Sequence, residues 1–148
     1  MKKLLMKAME SSISEVMATM FFLPVEIGNE SELIDCAMDK DKTMACKLSF
    51  TGDVSGDLIL LAPINLITEM AENFMGESRN HLTHEHISGT LTEMANMVCG
   101  NALGKTDSKV PFELGIPELI DPSKTSEKEI VTLVETPLSN MAFILNLY

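Results

Sequence analysis

Residues 88–104 read SGTLTEMANMVCGNALG. Leu91, Met94, Val98 and Ala102, with Ile87 just ahead of them, fall at i+4, i+7, i+11 and i+15 from Ile87, a spacing that lines one side of an α-helix. The pattern predicts a long helix from about His84 to Leu103, with Thr83 capping its start and Gly104 closing it. An apolar stripe of this kind has to be buried, so the helix is expected to lie on the core. Glu93 and Asn96, at i and i+3, fall about 60° apart at 100° per residue, on the side opposite the stripe, and are expected to be exposed. Gly89 stands one turn before Glu93 and Gly100 one turn after Asn96. Glycine inside a helix costs about 1 kcal/mol relative to alanine, so two of them around a carboxylate and an amide call for a reason. Small residues let another surface come close.

Outward from this helix the chain punctuates itself. TGDVSGDLILLAP, residues 51–63, sets two Gly-Asp turn signals before an apolar run and reads as the bend and second arm of a hairpin. MACKLSF, residues 44–50, alternates Ala45, Lys47 and Ser49 with Cys46, Leu48 and Phe50 and supplies a strand before it; VEIG and LIDCAM, residues 25–28 and 33–38, are also expected as strands. Residues 64–75 predict a short helix with Ile67, Met70, Ala71 and Phe74 on one face and Gly76 as its stop. Near the N-terminus, Leu5, Met9, Ile13, Val16, Met17 and Met20 mark a first long helix ended by Pro24. Beyond residue 104 a Lys/Asp/Ser loop is expected, then three strands in FELGIPELI, EKEIVTLVETPL and NMAFILNLY. Helix, strands, two helices, strands is the order of an α+β fold: two long helices and a short one packed on a largely antiparallel sheet.

Composition limits what such a fold does. With 148 residues, 45% of them apolar and 22% charged, one domain over 1–148 is expected, large enough to need no disulfide or metal for its stability. Twenty-two acidic against 11 basic side chains give a net charge of -11, which argues against nucleic-acid and membrane-surface partners. Cys36, Cys46 and Cys99 form an odd set without CxxC spacing, as expected of reduced thiols in a cytoplasmic protein. MKKLLMKAMESS lacks the apolar core of a signal peptide, and no apolar run approaches the roughly 18 residues that span a bilayer.

Several motifs invite chemistry. GNALGKT, residues 100–106, has three residues between its glycines where a phosphate-binding loop has four, and it ends a helix, where carbonyl dipoles repel phosphate. His81, His84 and His86 lie close in sequence, yet their spacing fits no familiar zinc motif; the plainer reading is a solvated turn leading to the Thr83 cap. No GxSxG or comparable nucleophile pattern occurs. Glu93 and Asn96 remain. A carboxylate pairs with a lysine or takes a proton, and a carboxamide offers both a donor and an acceptor for orienting water, although exposed helical pairs of this kind also form without function.

Residues 88–104 resemble the signature helix of the CheC/CheX family of chemotaxis phosphatases, whose core is E-x-x-N, here Glu93-Met94-Ala95-Asn96. SEVMATMFFLPVE in the first helix, the TGDVSGDLILLAP hairpin and ELGIPELI after the signature helix resemble CheX-like elements in the same order. The resemblance implies hydrolysis of the phosphoaspartate of a CheY-like response regulator in chemotaxis-type signalling. By it, Asn96 orients the attacking water and Glu93 anchors the helix to the receiver's lysine. The resemblance also implies no cofactor of the chain's own, with Mg2+ expected on the response regulator. Glu15-Val-Met-Ala18 has alanine where a second centre requires asparagine, so one centre per chain is expected, as in CheX. The family usually has Asp or Ser where Gly89 stands. CheX-like proteins pair as homodimers, and the apolar segment MAFILNLY is the expected edge. The alternative is a non-catalytic CheX-like module that docks a receiver domain, akin to the middle domain of flagellar switch proteins, which resembles this fold without the active motif.

Overall fold

The structure, a computed structural model, describes residues 2–106 and 110–148. The expected Lys/Asp/Ser connection falls partly on residues 107–109, outside the described residues. The first helix, α1, spans Lys2–Met20 and buries Leu5, Met9, Ile13, Val16 and Met17. The hairpin is formed by β2 (Thr43–Thr51) and β3 (Gly56–Pro63), paired from Thr43↔Pro63 to Phe50↔Gly56. It leads into α2 (Ile64–Met75), whose C-terminal Gly76 has φ 66° and donates its N–H to Glu72 O at 2.9 Å. The second long helix, α3, spans His84–Gly104. Local signals thus placed all three helices. Phe74, expected on the buried face of α2, is exposed near its end, where the helix passes the edge of the core.

The remaining strands are β1 (Glu26–Glu32), β4 (Glu113–Leu114), β5 (Glu118–Ile120), β6 (Ile130–Glu135) and β7 (Asn140–Leu147). They join β2 and β3 in one seven-stranded sheet of order β1-β6-β7-β3-β2-β4, with β5 also on β2 and every pairing antiparallel. Alternation along the strands divides the core. Met44, Cys46, Leu48 and Phe50 of β2, with Leu58, Leu60 and Ala62 of β3, pack with the three helices. On the other face Ala45, Leu61, Val131, Ala142 and Ile144 form a smaller cluster covered by Leu33, Cys36 and Met38.

That second cluster explains why LIDCAM is not a strand. Leu33–Cys36 turns as a 3-10 helix, which aligns side chains three apart, so Leu33 and Cys36 drop together onto the sheet. FELGIPELI is not one strand either. It breaks at Gly115-Ile116-Pro117, where Pro117 has no N–H to donate and Gly115 N–H bonds Ser49 O at 2.7 Å. The last segment departs furthest from its expected place. β7 lies between β6 and β3 and pairs with both, so MAFILNLY is the middle of the sheet and offers no free edge. Its continuous burial reflects that central place.

Candidate functional site

The start of α3 is fixed by its own residues. Thr83 Oγ1 accepts from His86 N–H at 3.2 Å while Thr83 N–H donates to His86 Nδ1 at 3.1 Å, a reciprocal capping box in which histidine takes the usual glutamate position. His81 turns instead to Ser78, with Nδ1 3.2 Å from Ser78 Oγ. Among the described residues no group of three or more His, Cys, Asp and Glu side chains is placed to hold a metal ion. Residues 100–104 of GNALGKT form the last turn of α3, where carbonyls rather than N–H groups face outward.

From this cap α3 runs along the core on Leu91, Met94, Val98 and Ala102, all buried, with Ala95, Cys99 and Leu103 widening the stripe and Ile87 packed at its margin. Glu93 is exposed and Asn96 half-buried. Neither side chain has a hydrogen-bond or ion-pair partner among the described residues. Gly89 and Gly100 are exposed, and a β-carbon added at either meets nothing within 4 Å. The chain's own packing therefore does not require glycine at these positions, and the ridge through Gly89, Glu93 and Gly100 is smooth and unfilled.

The adjoining carboxylate on α1 behaves differently. Glu15 Oε2 accepts from Asn101 Nδ2 at 2.9 Å and from Lys105 Nζ at 3.1 Å, and Lys105 also donates to Ser11 Oγ at 3.1 Å. The Asn101 hydrogen bond, followed by that of Lys105, holds the Glu15 carboxyl below the usual carboxylate range. Ala18, one turn on, is exposed and offers no polar group. Asn101 and Lys105 carry no sequence signal for this role, because the carboxylate they bind lies 86 and 90 residues away.

These contacts also set the direction of the helix pair. Ser11 and Glu15 meet Lys105, and Glu15 meets Asn101, so α1 and α3 run antiparallel. At 100° per residue Asn101, which touches α1, lies about 80° to one side of Glu93, and Asn96 lies about 60° to the other. Glu93 therefore stands between the α1 flank and Asn96. Glu15 is thus occupied from within, and Glu93 is open to solvent.

A family model described as chemotaxis phosphatase CheX matches residues 44–135, from β2 to β6 and including the whole of α3. No curated protein matches the sequence. Among solved structures, chemotaxis protein CheX from Vibrio vulnificus is similar with a TM-score of 0.76 and 17% identity, over 97% of this chain and 96% of that one. The CheX-CheY-BeF3-Mg2+ complex from Borrelia burgdorferi gives 0.76 and 18%, covering 97% of each chain. A CheC-like superfamily protein from Shewanella sp. PV-4 gives 0.75 and 17%, over 100% and 99%. At these identities the structures bear on the fold, and they share its three helices on an antiparallel sheet. The family match extends over more than half of the sequence and encloses Glu93 and Asn96, and on that match the chain belongs to the CheX family of chemotaxis phosphatases.

Proposed function

We propose that this protein hydrolyses the phosphoaspartate of a CheY-like receiver domain, with Asn96 orienting the attacking water and Glu93 pairing with a lysine of the receiver's active site. The observation that carries this reading is that Glu93 and Asn96 are unpartnered among the described residues, on a ridge where Gly89 and Gly100 leave room for a second surface. The complex of CheX with CheY from Borrelia burgdorferi supports a partner of this class.

The chemistry asks little of the enzyme. The oxygen of water bonds to phosphorus as the bond from phosphorus to the aspartyl oxygen breaks, giving inorganic phosphate, a free aspartate and a proton released to solvent. The leaving group is a carboxylate with an ordinary pKa near 4, so it departs without a general acid. In a loose phosphoryl-transfer transition state the nucleophile is only weakly bonded, so alignment matters more than deprotonation. A carboxamide is suited to aligning water, since its oxygen accepts a hydrogen bond from the water and its Nδ2 donates one to an oxygen beside it. Mg2+ belongs to the substrate, where it neutralises phosphoryl oxygens. An anchoring Glu93–lysine pair fixes the depth at which α3 enters the cleft, turning the approach of water into a positioned event.

The test is the lifetime of phosphoaspartate on a CheY-type receiver in Mg2+, with catalytic amounts of the wild type and of Asn96→Ala. The wild type should shorten the lifetime, and the variant should lose about 100-fold of that acceleration while still binding the receiver. A receiver that binds the wild type with no change in lifetime would sink the phosphatase reading and leave a docking module.

A further inference from the structure

α1 ends with an aromatic side chain where one is not favoured. Leu23 N–H donates to Met17 O at 3.0 Å, closing a turn over the helix end, and Phe22 within it has φ 57°. Glycine is the usual residue at such a position, because a β-carbon there crowds the backbone. The strain is not offset by burial, since Phe22 remains 66% exposed. Three further apolar side chains stand open at the ends of α1 and α2: Met20 is 38% exposed, and Phe74 and Met75 are each 40% exposed. These ends are tied together. The rings of Phe21 and Phe74 lie 5.4 Å apart, and Asn73 Nδ2 donates to Phe21 O at 2.7 Å.

The corner so formed lies beside the open carboxylate. From the Glu15–Asn101 contact, Met20 at the end of α1 is five residues further along, with Phe22 in the turn just beyond it, and Glu93 is eight residues back along α3. In antiparallel helices both steps run the same way, about 7.5 Å to Met20 and about 12 Å to Glu93 at 1.5 Å per residue. The turn that carries Phe22 therefore lies from the end of α1 towards the level of Glu93, on the α1 side of α3 and away from Asn96. A surface that seats on Glu93 meets this corner next.

We propose that Phe22, with Met20, Phe74 and Met75, forms the apolar flank of the docking surface and packs against an apolar patch of the receiver domain beside its phosphorylated cleft. The inference rests on the reading of Glu93 and Asn96 given above. The corner lies on the α1 side of their ridge, so a partner anchored at Glu93 and extending across that flank packs on it. The aromatic ring held out by the strained backbone at Phe22 then acts in the complex, as a buried apolar anchor does at a protein interface.

Phe22→Gly separates this role from a structural one, because it removes the ring and relieves the backbone at once. The variant should melt at the same temperature or higher, yet bind a CheY-type receiver loaded with beryllofluoride and Mg2+ about tenfold more weakly. Met75→Gln, at the exposed end of α2, should weaken the same binding several-fold. Unchanged affinity in both variants overturns the proposal, as does a lower melting temperature for Phe22→Gly with affinity intact. A change in self-association without a change in receiver affinity assigns the corner to a second copy of this chain and overturns it as well. Asn96→Ala keeps the two readings apart: full hydrolysis by that variant, beside weakened binding by Phe22→Gly, removes the water-positioning role and leaves the docking corner standing.

Discussion

Replacing Gly100 with alanine tests whether the smooth ridge on α3 serves a partner or the fold. The residue lies within the 21-residue helix, and a β-carbon built there meets nothing within 4 Å. The new methyl group thus brings no clash within the chain, and what remains is backbone entropy, for which alanine is better than glycine by about 0.8–1 kcal/mol. Unfolding entropy of about 2.1 cal/mol/K per residue gives ~0.3 kcal/mol/K for a chain of this length, so the melting temperature should rise by about 3 °C. The methyl sits one turn beyond Asn96 on the face opposite the buried stripe. If a receiver packs closely there, the α3 backbone is pushed back by a fraction of an ångström to an ångström, and displacement on that scale can cost up to about 100-fold in a positioned reaction. The expected pair of results is a calorimetric gain of a few degrees and a loss of at least about tenfold in kcat/KM for phosphoaspartate hydrolysis. Gly89→Ala, equally open in this chain, should give the same gain in stability. The family resemblance places Asp or Ser at that position, so a β-carbon there is compatible with approach, and the comparison separates stabilisation from docking. Stabilisation by Gly100→Ala with hydrolysis undiminished would refute close approach at this turn, and a fall in melting temperature would refute the open surroundings of the residue.

Other consequences can be read without a partner. Cys46 and Cys99 are buried, and burial pushes both thiols up to about 12, whereas Cys36 is half-buried at the sheet's second face. A thiol reagent at mild pH should modify Cys36 in the folded protein and all three only after denaturation. The same shifts carry a sign for stability: the folded pKa lies above the ordinary value of 9.0, so the contribution is intact below pH 9 and is lost as pH rises towards 12, which urea unfolding at a series of alkaline pH values should show. On the second face of the sheet the buried carboxylate of Asp57 accepts from the hydroxyl of Tyr148 and from Asn146 Nδ2 at 3.0 Å. The Asp57 hydrogen bond holds Tyr148 above the usual phenol range. Tyr148 is the single tyrosine and there is no tryptophan, so an ultraviolet titration reads it alone; the midpoint should fall in Asp57→Asn, and an unchanged midpoint would show that the bond does not set it.

The sequence by itself determined the elements whose signals are local. Periodicity over three or more turns, with Thr83 before α3 and Gly76 after α2, placed the helices within a residue or two, because capping and amphipathic spacing act between neighbours. It also put Glu93 on the open side of α3, whereas Asn96, expected to be equally exposed, is half-buried because Ala95, Cys99 and Leu103 widen the buried stripe towards it. Short apolar runs were less legible: LIDCAM has the composition of a strand, and only the exposed second face of the sheet, built from residues far along the chain, draws Leu33 and Cys36 into a tight turn. Tertiary structure alone decided that β7 is central, because its neighbours β3 and β6 are chosen by pairing rather than by the strand's own residues. It decided too that Glu15 is held by Asn101 and Lys105 while Glu93 stays open. The E-x-x-N spacing gives both members of the ridge, but whether a carboxylate is available depends on which side chains the antiparallel packing of α1 and α3 brings beside it, a contact made across 86 residues that no local pattern encodes.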